Sequence, residues 1–361
     1  MASDDRTEEL QAAVRAAYEA RTPLRVVGGD TKAFLGRPVD ASPLSITEHR
    51  GIISHEPTEL VLTVRAGTPV AEVERALAER GQMLAFEPPI HGADTTIGGV
   101  VACGLSGPRR PFVGAVRDFI LGVQIINGRS HTLRFGGEVM KNVAGYDASR
   151  LMSGAYGTLG VLLDVSFKVL PRPEIEITLK ATQTGEEALN TFATLMTKPH
   201  PLSGGAWSNG TTYLRLSGSR AGTQTAAESI GQSGAWTIDG NGDALWTSVR
   251  HQRHAFFSRD DQASLWRLSL PPDCPLGDLF APDDVLIDWA GAIRWVKTDA
   301  PADDLFAYAK SVGGHATRYV GPDSSAPFQP LAAPIFALHQ KMKEAFDPHR
   351  ILNPGRMYDE L

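Results

Sequence analysis

The pattern of apolar and polar positions predicts that the chain begins with a helix and a strand. Apolar residues recur at helical spacing from about Thr7 to Ala20, and after Pro23 the short segment Leu24 to Val27 has the composition of a strand. This strand leads directly into the glycine-rich segment Gly28 to Lys32. The sequence therefore predicts an amphipathic helix and a strand that ends in a flexible loop.

A second strand and helix are predicted after this loop. The apolar segment Leu60 to Arg65 predicts the strand, after which Thr68 can cap a helix, Pro69 can occupy its first position and Gly81 can end it. The buried face of that helix is predicted to consist of Val70, Val73 and Leu77.

Small residues dominate the next part of the chain. Between His91 and Gly114 the density of Gly, Ala, Ser and Pro favours an irregular backbone over a packed helix. Beyond it, Asp118 to Ile126 and Arg129 to Phe135 are rich in strand-forming residues. They are joined by Asn127-Gly128, which predicts a hairpin with a two-residue turn.

A proline pair predicts a domain boundary. Asp147 can cap a short helix ending near Gly154, and Leu159 to Leu170 predicts a strand that Pro171-Arg172-Pro173 closes. Further strands are predicted near residues 212–216, 265–270 and 285–289, and helices within 217–240 and at 304–312 and 334–346. We expect an α+β protein with a first domain at 1–173, a second at 174–330 and a C-terminal segment at 331–361.

Composition and charge exclude several classes of protein. The 361 residues are 42% apolar, which is ordinary for a globular protein, and a net charge of −6 without a basic cluster argues against nucleic-acid binding. No apolar run reaches the roughly 18 residues of a membrane-spanning helix. The acidic start from Met1 to Asp5 does not resemble a signal peptide, so we expect a cytoplasmic protein.

The cysteines and histidines give no metal motif. The chain has 2 cysteines, Cys103 and Cys274, which are too far apart in sequence for a CxxC motif or an iron–sulfur cluster ligand set. His251 and His254 share a helical face but have no third ligand at suitable spacing, so a solvated surface is the preferred interpretation. We expect no metal site in this chain.

Three glycine-rich segments are candidate ligand loops. Gly28 to Lys32 can direct successive backbone N–H groups at a phosphate, with Thr31 and Lys32 adding a hydroxyl and a charge, although a plain strand-to-loop turn is the commoner role of paired glycines. Thr95 to Gly107 can lie flat against a ring system such as a flavin, or can be a tight buried turn. Gly154 to Val161 can approach an adenine or ribose, or can be a helix-to-strand connection.

The sequences of the common nucleotide-binding loops are absent. No GxGxxG segment opens a helix after a strand, and no GxxxxGK[ST] segment occurs. Nicotinamide Rossmann domains and P-loop enzymes are therefore disfavoured.

Taken in order, the segments resemble the FAD domain of the vanillyl-alcohol-oxidase / p-cresol-methylhydroxylase (PCMH) superfamily. The resemblance is carried by GGDTK, EPTELVLTVRAGTPVAEVERAL, TIGGVVACGLSG, RDFILGVQIINGR, KNVAGYD, GTLGVLLDVSFKVLP and FDPHRILNPGRM. Within it, FEPPI, SGPRRPFVGAVRDFILG and GGEVMKNVAGYDASRLMSGAYGTLG are most similar to the FAD-binding subunits of bacterial glycolate oxidases.

The resemblance implies a PCMH-type fold of two α/β subdomains, then an α+β cap domain and a C-terminal segment that returns to the flavin. It implies that the first loop cradles the FAD pyrophosphate, that the second and third segments line the flavin and the adenine end, and that the C-terminal tail lies near the ring. The implied cofactor-binding residues are Gly28, Gly29, Asp30, Thr31, Lys32, Thr95, Thr96, Ile97, Gly98, Gly99, Ala102, Cys103, Ser106, Gly107, Gly157, Thr158, Leu159, Gly160, Val161, Asn353 and Arg356.

Two departures from the pattern refine the expected function. Substrate-oxidising relatives carry an HxGDGNxH-like motif, whereas Asp239 to Asp243 has no flanking histidines, which argues against substrate oxidation by this chain alone. Relatives with covalent FAD often use a histidine near the first loop, and Gly28 to Gly36 contains none, so we expect non-covalent FAD. The sequence assigns no catalytic residue.

The resemblance implies a flavin subunit of a complex that oxidises glycolate to glyoxylate. The implied partners are a second flavoprotein subunit and an iron–sulfur subunit, which could hold the complex at the inner membrane. The alternatives are a self-sufficient FAD-dependent dehydrogenase of another 2-hydroxy acid or alcohol, and a scaffold that has lost FAD.

Overall fold

A computed structural model of the chain describes residues 5–137, 147–258, 263–277, 280–321 and 326–361. The α-helices are α1 Thr7–Ala20, α2 Val70–Ala78, α3 Ile97–Cys103, α4 Arg110–Val113, α5 Val116–Phe119, α6 Gly185–Met196, α7 Arg220–Gln232, α8 Gly242–Arg250, α9 Ala302–Ser311 and α10 Ala333–Phe346. Short 3-10 turns occur at Arg150–Met152, Pro282–Asp284 and Trp289–Gly291.

The β-strands cover both halves of the chain. They are β1 Leu24–Val27, β2 Ser42–Ser45, β3 Ile52–Glu56, β4 Val61–Arg65, β5 Gln82–Met83, β6 Ile120–Ile126, β7 Thr132–Gly136, β8 Val161–Lys168, β9 Leu170–Pro171, β10 Ile175–Thr182, β11 Leu202–Ser208, β12 Thr211–Gly218, β13 Thr237–Ile238, β14 Leu265–Ser269, β15 Val285–Asp288, β16 Ile293–Lys297 and β17 His315–Val320.

The chain divides into two compact units. The first contains residues 1–105, 115–171 and 330–361, and the second contains residues 106–114 and 172–329. The C-terminal residues therefore belong to the same unit as the N-terminal ones.

The first unit is built on an antiparallel sheet of strand order β3-β4-β8-β6-β7. In its core the ring of Phe86 lies 5.4 Å from that of Phe119 and 5.8 Å from that of Phe167. Separately, β1 pairs in parallel with β2, and Leu24 also forms a parallel bridge with Leu352 from the C-terminal tail. The tail thereby extends this small sheet.

The second unit is built on an antiparallel sheet of strand order β13-β10-β12-β11-β15-β16-β14-β17. Its helices cover an apolar core that includes Leu179, Phe192, Trp207, Trp266 and Phe306. The architecture of both units is α+β, as the sequence predicted.

Several predicted elements of the first unit are confirmed. The first helix, the strand before the glycine loop and the face formed by Val70, Val73 and Leu77 lie where the pattern placed them. The hairpin is confirmed as β6 and β7, but the two-residue turn is wrong. Asn127 instead organises a longer loop, because its Oδ1 accepts hydrogen bonds from the amides of Arg129 at 3.0 Å and His131 at 2.9 Å.

Other local predictions are wrong. Thr68 does not cap α2; its hydroxyl donates to the Arg65 carbonyl at 2.7 Å, and Pro69 takes the cap position. Asp147 does not cap a helix, because only the 3-10 turn Arg150–Met152 forms and Ser149 precedes it. The KNVAGYD motif lies outside the described residues except for Asp147.

The region predicted to be irregular contains α3, which is the main correction in the first unit. Thr96 caps this helix by accepting a hydrogen bond from the Gly99 amide at 3.2 Å, and Val100 and Val101 are fully buried. Glycine lowers helix propensity by about 1 kcal/mol, but tertiary packing overrides that preference here. Gly98 is needed because a Cβ there would lie 2.9 Å from the Cβ of Ala66.

The second unit holds many elements that the pattern did not reveal. Strands β12, β14 and β15 and helices α7 and α9 match predictions. The missed strands and α-helices are β10, β11, β13, β16, β17, α4, α6 and α8. The Asp239 to Asp243 segment is the turn that begins α8, where a Cβ on Gly242 would lie 2.2 Å from the Thr178 hydroxyl.

Candidate functional site

The first glycine loop lies directly against the loop that precedes α3. A Cβ on Gly28 would lie 2.3 Å from the Thr96 hydroxyl, and one on Gly29 would lie 1.7 Å from the Asp94 carbonyl oxygen. The Thr31 and Thr95 hydroxyls are hydrogen-bonded at 3.0 Å. The paired glycines are therefore required by this close approach, which a plain turn does not explain.

Lys32, at the end of this loop, is a buried cation. Its side chain is 7% exposed and lines a cavity between the glycine-rich segments. Burial lowers the pKa of Lys32, because removing the ammonium from water disfavours its charged form. A buried charge of this kind favours an anionic ligand beside it.

Cys103, at the end of α3, lies near Lys32. Burial raises the pKa of its thiol, while the charges of Lys32 and Arg356 oppose that rise. The thiol is therefore held protonated at neutral pH and is a poor nucleophile.

Backbone hydrogen bonds hold the GAYGTLG segment, residues 154–160, against the end of α3. The Tyr156 amide donates to the Ala102 carbonyl at 2.8 Å, and the Gly154 amide donates to the Val101 carbonyl at 3.0 Å. Tyr156 and Gly157 both have left-handed backbones, with φ of 52° and 71°. This tight turn brings the backbone of Gly157 towards the first loop.

The C-terminal tail completes the arrangement through Asn353. Its Oδ1 accepts a hydrogen bond from the Val26 amide at 2.7 Å, and its Nδ2 donates to the Tyr156 carbonyl at 2.6 Å. A Cβ on Gly157 would lie 2.7 Å from that Nδ2 atom. Asn353 thus joins the first strand to the GAYGTLG turn.

Arg356 binds the first loop from the other side. Its guanidinium donates to the carbonyls of Arg37 at 2.7 Å, Ala33 at 3.1 Å and Lys32 at 3.4 Å. Because backbone oxygens occupy several of its donors, Arg356 holds the conformation of the loop. Lys32 is therefore more available than Arg356 to bind an anionic ligand.

These segments enclose two adjoining cavities that share several lining residues. Their empty volumes are about 590 Å³ and 350 Å³, part of it open to solvent, which is in the range of cofactor pockets. The residues implied by the sequence that line them are Gly28, Gly29, Asp30, Thr31, Lys32, Thr96, Gly98, Gly99, Ala102, Cys103, Gly157, Gly160, Asn353 and Arg356.

Other implied residues lie elsewhere. Thr95, Ile97 and Val161 are buried in the packing around the cavities, and Thr158 and Leu159 line a separate apolar cavity beside α10. Ser106 and Gly107 belong to the second unit.

Sequence reasoning missed several lining residues. Tyr156 lies within the GAYGTLG segment, and its position between Gly154 and Gly157 was the available signal. The apolar or charged residues without a local signal are Arg25, Val26, Val27, Ala33, Val39, Ile46 and Leu162.

The lining fits FAD on this chain's own features. The buried ammonium of Lys32 can pair with a pyrophosphate. The glycines in the lining have no Cβ, so a flat ring can lie close to their backbone. No histidine lines either cavity, nor is a cluster of metal-binding side chains found in the part of the chain that the structure describes.

Comparison with known proteins agrees with this fit. Residues 5–136 match the FAD binding domain family. The chain superposes on alkyldihydroxyacetonephosphate synthase with a TM-score of 0.67, at 14% identity and with 96% of this chain and 74% of that chain covered. The fold and the site therefore define a flavoprotein of the FAD-dependent oxidoreductases, and FAD as its cofactor is confirmed.

The particular family follows from two curated relatives. The chain is 47% identical over 357 residues to the glycolate oxidase subunit GlcE of Escherichia coli (strain K12), a match that covers 99% of each chain. It is 30% identical over 179 residues to the glycolate oxidase subunit GlcD of Bacillus subtilis (strain 168), covering 48% of this chain and 37% of GlcD. The chain belongs to the family of GlcE-type glycolate oxidase subunits, which confirms the resemblance expected from its motifs.

Asn353→Ala tests whether the tail builds the cavity. The change leaves the Val26 amide and the Tyr156 carbonyl without their partner, so we expect roughly tenfold weaker FAD binding. Titration of apoprotein with FAD, followed by flavin fluorescence, measures it. Asn190→Ala, on the exposed face of α6, is the control, and equal affinities for the two variants contradict the prediction.

Proposed function

We propose that this chain is the FAD-binding subunit of a glycolate oxidase complex, which oxidises glycolate to glyoxylate with partner subunits. The observation that carries the proposal is the 47% identity to GlcE along the whole chain. The cavity with a buried cation in its lining supports it, because a subunit that had lost FAD would not need to retain either feature.

Within the cavity, we assign the pyrophosphate of FAD to the first loop and Lys32. The flavin and ribityl chain are assigned to the α3 segment from Thr96 to Cys103, and the adenine end to the turn at Gly157 and Gly160. When bound, FAD supplies the acceptor for the electrons removed from a CH–OH group. The residues of the chain bind and orient it: Lys32 balances charge, and Arg356 and Asn353 hold the loops in place.

FAD is proposed to be held non-covalently. No histidine is among the described residues that line the cavity, and burial keeps the Cys103 thiol protonated, which disfavours its attack on the flavin ring. Acid precipitation of the holoprotein should release all flavin into the supernatant. Flavin that stays with the pellet would overturn this assignment.

The proposed partners are a GlcD-like flavoprotein subunit and an iron–sulfur subunit. With only 2 cysteines in the whole chain, a cluster that passes single electrons onward must be carried by another subunit. None of the helices in the described ranges is long and apolar enough to span a membrane. We propose that the chain works in the cytoplasm and reaches the inner membrane through these partners.

Anaerobic glycolate addition tests the proposal. We expect the isolated chain to bind FAD but to keep the absorption band of oxidised flavin after glycolate is added. The complex of the chain with its co-expressed partners should be bleached. Bleaching of the isolated chain by glycolate or lactate would instead favour a self-sufficient dehydrogenase of 2-hydroxy acids.

A further inference from the structure

Lys343 is the buried residue of α10, a helix that otherwise lies largely at the surface. The side chain is 1% exposed, while Ile335 and Leu338 of the same helix are 48% and 55% exposed. The Lys343 ammonium donates hydrogen bonds to the Asp347 carboxylate at 2.8 Å, the Thr158 carbonyl at 2.8 Å and the Leu352 carbonyl at 2.7 Å. An ammonium has three N–H donors, so these bonds satisfy it.

Asp347 is fully buried and forms the centre of the tail. Its carboxylate accepts hydrogen bonds from the amides of Ile351 at 3.1 Å and Leu352 at 2.8 Å. A Cβ on Gly128 would lie 2.2 Å from its Oδ1 atom, so the hairpin loop also packs against it. The carboxylate therefore fixes the path of the tail from the end of α10 to Leu352.

Two of the residues that accept hydrogen bonds from Lys343 are sequence neighbours of residues that line the cofactor cavity. Thr158 follows Gly157, and Leu352 precedes Asn353, and both Gly157 and Asn353 line the cavity. Lys343 itself lines neither part of the cavity. Any effect of Lys343 on FAD must pass through these two backbone segments.

We propose that Lys343 is a positioning residue of the cofactor site, which with Asp347 holds the segments carrying Gly157 and Asn353 at the spacing that FAD requires. The inference rests on the proposed assignment of this cavity to FAD. Loss of the ammonium frees the Thr158 and Leu352 carbonyls and leaves the Asp347 charge buried without its partner, so both segments relax. Asn353 then loses its alignment with the Val26 amide and the Tyr156 carbonyl.

Lys343→Met tests the proposal in the full chain, since methionine keeps much of the volume and removes the charge. We expect the Kd for FAD to rise about tenfold, measured by flavin fluorescence at a temperature where the apoprotein is folded. Leu62→Ala, in the core of β4, is the control for general destabilisation, because Leu62 is 0% exposed and lines neither cavity. If Leu62→Ala lowers the Tm as much as Lys343→Met does, it should still change the Kd for FAD less than twofold.

A double-mutant cycle with Asn353→Ala separates positioning from simple stability. If Lys343 acts through Asn353, Lys343→Met should weaken FAD binding much less in the Asn353→Ala background than in the native one. Additive effects, or a Kd within twofold of the native value for Lys343→Met, overturn the inference. Should Lys343→Met fail to fold, Asp347→Asn, which keeps the shape and removes the charge, is judged by the same criteria.

The outcomes distinguish this inference from the proposed function. A native chain that does not bind FAD contradicts the assignment of the cavity itself. A native chain that binds FAD, with variants that bind it equally well, contradicts only the role of Lys343.

Discussion

Gly29→Ala is expected to abolish FAD binding. The added Cβ would lie 1.7 Å from the carbonyl oxygen of Asp94 and 2.5 Å from its carbonyl carbon. Both are backbone atoms, so no side-chain rotation can relieve the overlap, and the first loop must move away from the segment before α3. The loop carries Lys32, and we expect FAD affinity to fall at least about 100-fold, equivalent to about 2.8 kcal/mol.

The measurement is the flavin content of the purified variant and its Kd in a titration with added FAD. Gly231→Ala is the matched control, because a Cβ at this position in α7 would have open space around it and alanine favours a helix. That control should bind FAD normally and be slightly more stable. Native flavin content in the Gly29→Ala protein would show that the first loop does not hold the cofactor.

Lys32→Met is expected to change stability and cofactor binding in opposite directions. In the apoprotein, the buried ammonium costs free energy because folding removes it from water, which is also the cause of its lowered pKa. Methionine removes that cost, so the apoprotein should gain about 1 kcal/mol in its free energy of unfolding. FAD binding should weaken by a factor of about 10 to 100, because the pyrophosphate loses a charge-assisted hydrogen bond of about 1.5–3 kcal/mol.

The pH dependence follows from the direction of the Lys32 pKa shift. Burial lowers this pKa below its usual 10.5, so the unfolded chain binds more protons than the folded chain between the two values. The contribution of Lys32 to the free energy of unfolding of the apoprotein should therefore become more favourable as the pH rises through that window. FAD affinity should fall across the same window, because the ammonium loses the proton that attracts the pyrophosphate.

Lys341→Met is the control for both effects, since Lys341 is exposed on α10. It should leave the Kd for FAD and its alkaline pH dependence unchanged. Thermal denaturation of the apoproteins and FAD titrations from neutral to alkaline pH make the comparison. A Lys32→Met protein that is less stable as apoprotein, or that binds FAD like the native chain, contradicts the assignment.

Local patterns predicted the first unit better than the second. The helix Thr7–Ala20 and the apolar face of α2 were readable because each repeats over several turns against one core. Strand β11, Leu202–Ser208, was missed because its sequence, LSGGAWS, has the composition of a loop. It forms a buried strand because Gly204 and Gly205 make room for Trp246 and Ala290, at 2.9 Å and 3.0 Å from the Cβ positions.

The irregular backbone predicted for residues 91–114 failed for a related reason. Glycine disfavours a helix in isolation, yet Gly98 in α3 allows a close approach that a larger residue would block. Gly98 faces Ala66, and Gly99 faces Thr96 and Lys32. The packing that favours glycine at position 98 comes from Ala66 and Ile46, which are far away in sequence.

The sequence by itself determined the class of protein, since the order of its glycine-rich motifs along the chain identified an FAD-binding family and the terminal NPGR segment as part of the site. Only the tertiary structure decided which of those residues face the cavity and that Lys32 is buried there. It alone revealed Lys343, whose bond to Thr158 spans 185 residues of sequence. Burial and hydrogen bonding between distant segments produce no periodic pattern in the sequence, because the residues next to each partner do not indicate the contact.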